Sequence, residues 1–152
     1  DAGSELVAPV VSTRPRDAES EVDQEHFYLC DPPTVGFKER CYYHEMAADA
    51  DGFTCSALIN KTLPGGPFGF YVKYKKSQLP KFNHWKMNGT QEYVIGMEPA
   101  NCWVEGRAKE RGRGGLEFLD PGETREYNVE IGVLSGDEDV SRFEEAVKSI
   151  KK

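Results

Sequence analysis

The sequence predicts an all-β fold, an antiparallel β-sandwich with a short C-terminal helix, on three observations. Short apolar stretches alternate with period two, strong turn formers separate them, and only the last residues change to helical spacing. Six or seven strands at this spacing make a sandwich or a barrel. A chain of 152 residues has room for one domain with a core, and its Gly 15 and Pro 9 fit a turn-rich β protein.

Residues 1–36 predict one short strand near residues 6–11 and then an irregular arm, with charges over residues 14–24 and a turn at Asp31-Pro32-Pro33. Such an arm packs against something else. Residues 37–134 carry the sandwich. Residues 40–47 are rich in Tyr and Cys; Phe53, Cys55, Ala57 and Ile59 alternate with Thr54, Ser56 and Leu58; Phe68, Phe70, Val72 and Tyr74 alternate in the next run. Asp49-Ala50-Asp51-Gly52 and Leu63-Pro64-Gly65-Gly66-Pro67 separate these runs. Asn88-Gly89 predicts a hairpin between residues 81–86 and 92–97. A second hairpin is expected between residues 116–119 and 125–133, turning at Asp120-Pro121-Gly122-Glu123. Residues 135–152 form the helix: Val140, Phe143, Val147 and Ile150 recur at helical spacing, with acids early and lysines late. Together these elements make one domain or the C-terminal half of a larger one.

A net charge of −7 argues against nucleic acid or an anionic membrane as the main partner, because both select a positive surface. No apolar run is long enough to span a bilayer. The chain starts at Asp1, without Met and without the basic and apolar regions of a secretory signal, which predicts a processed product or a piece of something longer. Cys30, Cys41, Cys55 and Cys102 form no C-x-x-C pair and are expected as free thiols in a reducing, cytoplasmic setting. The sequons at Asn60 and Asn88 matter only in a secreted protein.

The stretch Tyr93-Val94-Ile95-Gly96-Met97-Glu98-Pro99 places one carboxylate just before a proline. Pro99 cannot donate to a ladder, so the strand is expected to stop and leave Glu98 on its last rung, aimed at a rim. A glutamate there is either a solvated strand end or a working acid or base. With a turn at Asn88-Gly89, Asn83, His84 and Trp85 stand across the ladder from Glu98 and bring an amide, an imidazole and an indole beside the carboxylate. Such a set suits a sugar, whose hydroxyls need directional partners and whose C–H face packs on Trp85 or Trp103. The structural alternative makes Trp85 core and His84 a satisfied interior histidine. Further on, Asn101 and Arg107 lie in a Gly- and Arg-rich loop, where Arg107 is either solvated or a partner for a ligand anion. The loop lacks the closing Gly-Lys-Ser/Thr of a phosphate cradle. His26, His44 and His84 are too scattered to predict a metal, and neither a cofactor nor a nucleophile elbow is expected.

Gly96-Met97-Glu98-Pro99-Ala100-Asn101, with Trp85-Lys86-Met87 before it and Gly106-Arg107 and Pro121-Gly122-Glu123-Thr124-Arg125 after it, resembles the C-terminal part of galactose-mutarotase-like proteins. More narrowly, the resemblance is to a branch of the aldose 1-epimerase superfamily, over residues 6–133. It implies a β-supersandwich and an isomerase of carbohydrate metabolism that interconverts sugar anomers, with Glu98 as general base and a histidine as acid. In that family the catalytic histidines and a substrate-binding arginine come from the N-terminal half, which this chain does not match. The expected partners are a small sugar and the missing half or a second copy, and the chain alone is expected to be inactive. Asn101 stands where many relatives carry glutamine, so the sugar is left open. The alternative function is a carbohydrate-binding module or an assembly subunit without catalysis.

Overall fold

The computed structural model describes residues 1–150. Eight strands follow in order: β1 (Ser4–Val7), β2 (Val10–Pro15), β3 (Arg40–Met46), β4 (Phe53–Asn60), β5 (Phe68–Lys75), β6 (Lys81–Asn88), β7 (Tyr93–Ala100) and β8 (Val129–Ser135). They form two four-stranded antiparallel sheets, ordered β1-β4-β5-β8 and β2-β3-β6-β7. Three α-helices, α1 (Ala18–Glu21), α2 (Arg107–Gly112) and α3 (Gly136–Ile150), and one 3-10 turn (Gln24–His26) lie in the connections and at the end. The antiparallel sandwich with its C-terminal helix is the fold class the alternation predicts.

Three local expectations are corrected. The single strand near residues 6–11 is two strands, split at Ala8-Pro9, and they belong to different sheets. Pro9 offers no N–H to either ladder, so the chain changes sheets there. The hairpin between residues 116–119 and 125–133 does not form. Instead β8 pairs with β5 from Phe68↔Ser135 to Tyr74↔Val129, a seven-residue ladder that the alternating run of β5 supplies. Nor does Pro99 end β7: the strand continues to Ala100, with Pro99 opposite Phe82. Proline is tolerated on an edge strand when its nitrogen points away from the neighbour, and β7 is an edge.

The two sheets face each other across Leu6, Met46, Val72, Tyr74 and Phe82, with Phe27 and Met97 packed against them. A second cluster lies on the far side of the first sheet, where Ala57, Ile59 and Leu134 meet Val140 and Phe143 of α3. Each fully buried apolar side chain contributes about 1.5–3 kcal/mol, so α3 is held by its apolar stripe. Polar groups also enter the inter-sheet layer. Thr13 Oγ1 lies 2.9 Å from His44 Nδ1, and His44 Nε2 lies 3.4 Å from His84 Nδ1. The Lys86 ammonium, wholly buried, meets Asp23 at 2.7 Å, Asp31 at 3.4 Å and the His26 carbonyl at 3.2 Å. This cluster ties the arm of residues 16–39 onto β6.

Candidate functional site

Strand register decides which side chains share a face, because directly opposed residues point the same way. In the second sheet Arg14, Tyr43, Asn83 and Glu98 form one row across all four strands. The next row contains Cys41, Trp85 and Gly96. Both rows lie on the face turned away from the other sheet. Glu98 is half-buried, and the loss of water around it pushes its carboxyl above the usual glutamate range. It forms no ion pair or side-chain hydrogen bond among the described residues. Its position depends on Gly96: a Cβ there would overlap a Glu98 carboxyl oxygen and come within 3.2 Å of Trp85 Cβ. The carboxyl therefore lies back along its own strand, over the glycine.

The flanks are ordered by aromatic and ionic contacts. The Tyr43 ring packs on Trp103 with centroids 4.8 Å apart, and the Arg14 guanidinium lies 4.4 Å from the Tyr43 centroid. Lys81 Nζ lies 4.9 Å from the Trp103 ring. Asn83 Nδ2 donates to the Cys102 carbonyl at 3.2 Å, while its buried Oδ1 and the Tyr43 hydroxyl have no partner among the described residues. Trp85 Nε1 donates to Glu39 at 2.8 Å, and the other Glu39 oxygen accepts from Arg16 at 3.0 Å. Those two bonds, Arg16 first, hold the Glu39 carboxyl below the usual range. Glu105 is lowered in the same way, first by its 2.7 Å bond from Arg113. Burial pushes the Cys41 thiol up to about 11, with a smaller push from Glu98, and the Tyr43 phenol up to about 12. Both stay protonated at neutral pH and can donate.

The structure thus brings Asn83, Trp85 and Glu98 onto one face, with Trp103 folded against Tyr43 of the same row. His84 points the other way, into the inter-sheet layer, in register with Tyr42 and Met97. Burial lowers the His84 pKa well below the usual range and takes His44 down to about 4, so both imidazoles are neutral. Asn101 follows β7 and donates to Glu117 at 3.2 Å; Arg107 begins α2 and is exposed. Gly96, the first residue of the Glu98 motif, also belongs to this face, as do Arg14, Cys41 and Tyr43, which carry no motif of their own. The alternation of residues 41–45 marks two of them once β3 is known to pair with β6. Among the described residues no group of three or more His, Cys, Asp or Glu is placed to hold a metal. No helix there is long and apolar enough to cross a membrane. All four cysteines are free, and Cys30, Cys41 and Cys55 are buried.

No curated protein matches the chain. It is similar in structure to a crystallised "putative aldose 1-epimerase" from Klebsiella pneumoniae subsp. pneumoniae MGH 78578, with 25% identity and a TM-score of 0.93. The match covers 100% of this chain and 39% of that one, so the chain spans about two fifths of its neighbour's length. The sandwich is therefore of the aldose-epimerase-like type. The family model described as "Domain of unknown function (DUF4432)" matches residues 1–133, and the chain accordingly belongs to the DUF4432 family.

Proposed function

We propose that the chain is the Glu98-bearing C-terminal part of an aldose 1-epimerase-like protein that binds a sugar and interconverts its anomers. The observation that carries this reading is the unpaired, half-buried Glu98 carboxyl in a row with Asn83 and Tyr43, on a sandwich similar to that neighbour. Glu98 takes the proton from the anomeric hydroxyl, and the C1–O5 bond breaks with its electron pair going to O5, which accepts a proton from an acid. C1 becomes an aldehyde, rotates, and recloses by the reverse steps. A base whose pKa is raised toward neutrality suits this work, and the base and the acid each contribute roughly 10²–10⁴-fold. The acid is assigned to a segment beyond this chain, since His44 and His84 are held neutral on the opposite face. Asn83, Trp85, Asn101, Trp103 and Arg107 are proposed as the sugar-binding surround.

Polarimetry of the full-length protein tests the reading. Glu98→Gln is expected to remove acceleration of mutarotation by about 10²-fold or more with the fold retained, and an unchanged rate would take Glu98 out of the mechanism. The turn of His44 and His84 away from the Glu98 face also favours a second reading, a sugar-binding module without catalysis. There, calorimetry finds sugar binding that survives Glu98→Gln, and the full-length protein accelerates nothing.

A further inference from the structure

The sandwich is closed on one side and open on the other. On the closed side, residues 28–30 cover the edge of β1: Leu6 N donates to the Tyr28 carbonyl at 2.7 Å, and Cys30 N to the Ser4 carbonyl at 2.8 Å. On the opposite side β7 and β8 are both edge strands. Part of the inner face of β8 and its neighbour β5 is left in water: Ile131 is 64% exposed, Val133 60%, Phe68 46% and Phe70 43%. In register, Phe70 opposes Val133, and Val72 of the inter-sheet core opposes Ile131. These side chains therefore point toward the second sheet, which ends at β7 before reaching them. A cleft of about 450 Å³ beside Phe68 and Phe70 runs between the sheets from Ile95 and Met97 of β7 to Ser4 and Asp1 at the start of β1.

The free edge of β7 has a definite register. Gly89 N donates to the Glu92 carbonyl, so the hydrogen-bonded pairs along the hairpin fall at residues 94, 96 and 98. Residues 93, 95 and 97 then turn their N–H and C=O groups outward. Pro99 falls in the same outward set, where its missing N–H costs β6 nothing. An unpaired edge beside an uncovered apolar face of the opposite sheet is one defect that one addition repairs. A strand laid along β7 extends the second sheet over β8.

We propose that this open side is the docking surface for a further β-sheet unit of the same polypeptide, which adds a strand to β7 and covers Phe68, Phe70, Ile131 and Val133. The occupant is inferred from length, since this chain spans only 39% of a neighbour that it matches over its whole extent. It is inferred also from chemistry, because the surface offers a strand edge beside two aromatic and two aliphatic side chains, none of them charged. Glu98 lies on β7, so the added strand would wall the face that holds it and bring side chains within reach of its carboxyl. The inference rests on reading this chain as part of a longer protein. Amide exchange is measured without sugar, so a failure here is distinguishable from failure of the mutarotation assay.

The test compares amide exchange at Ile95 and Met97 in the 152-residue chain and in the complete gene product, with β2 amides as internal control. The expected result is exchange at least about tenfold slower in the complete product at those two amides, with β2 unchanged. In the complete product, Ile131→Glu with Val133→Glu restores fast exchange at Ile95 and Met97. Equal rates in both proteins, or a gene product no longer than this chain, overturn the proposal. So does protection that grows with the concentration of the 152-residue chain, which assigns the surface to a second copy.

Discussion

At the scale of single residues, the candidate site depends on a glycine as much as on a carboxylate. Gly96 leaves the space in which the Glu98 carboxyl rests, and the same space is poor in water, which raises the carboxyl's pKa. Gly96→Ala should drive the side chain outward. In an NMR titration the Glu98 carboxyl should move back toward the ordinary glutamate value, with global stability changed by less than about 1 kcal/mol. If Glu98 is the base, mutarotation by the full-length protein falls by about tenfold or more in the same variant, because misplacing a reacting group is costly. An unmoved titration with full activity would show that Gly96 has no part in positioning Glu98. The direction of pH dependence follows: the carboxylate is the working form, so the rate drops as pH falls through a value above 4.5.

Among the elements, β6 is the strand that joins structure to site. One of its faces supplies Asn83 and Trp85 to the Glu98 rows; the other buries Phe82, His84 and Lys86. Lys86 anchors the arm through Asp23, which also binds Arg40 at 2.6 Å. Burial works against the Asp23 charge, but Lys86 and then Arg40 outweigh it and hold the carboxyl below its usual range. Removing one member of a buried pair strands the other, at about 3–5 kcal/mol. Asp23→Asn should therefore lower the urea-unfolding free energy by about 3 kcal/mol, near the bottom of that range because Asp31 still faces Lys86. Adding Lys86→Met should recover part of the loss. A cost below about 0.5 kcal/mol would mean that the arm does not depend on this contact.

For the whole molecule, two neutral imidazoles inside the sandwich make stability depend on pH. Their folded pKa values lie below 6.5, with His44 at about 4 and His84 well lowered, both by burial. The unfolded chain thus binds protons that the folded chain refuses. Stability is full above about 6.5 and is lost as pH falls toward 4, at up to about 1.4 kcal/mol per pH unit for each histidine. Urea unfolding at pH 7 and pH 5 should differ accordingly, while neither imidazole titrates in the folded protein over that interval. Equal stability at the two pH values would contradict the neutral, buried pair.

By itself, the amino-acid sequence determined the class of fold, the hairpin of β6 and β7 that sets Asn83 opposite Glu98, and the amphipathic tail helix. These are local properties: alternation, turn residues and helical spacing act within a few residues of one another. Tertiary structure alone decided that β8 joins β5, that residues 6–11 divide between two sheets, and that β7 runs past Pro99. Each depends on which strand lies alongside, and a partner distant in sequence leaves no trace in local spacing. The site divides in the same way. Glu98 and Asn83 were legible from a motif and a turn, whereas Tyr43, Cys41 and Arg14 joined them only when four strands aligned, and the inward turn of His84 followed from the same register. The open side of the sandwich was legible in no segment, because an apolar alternation reads the same whether another sheet covers it or water does.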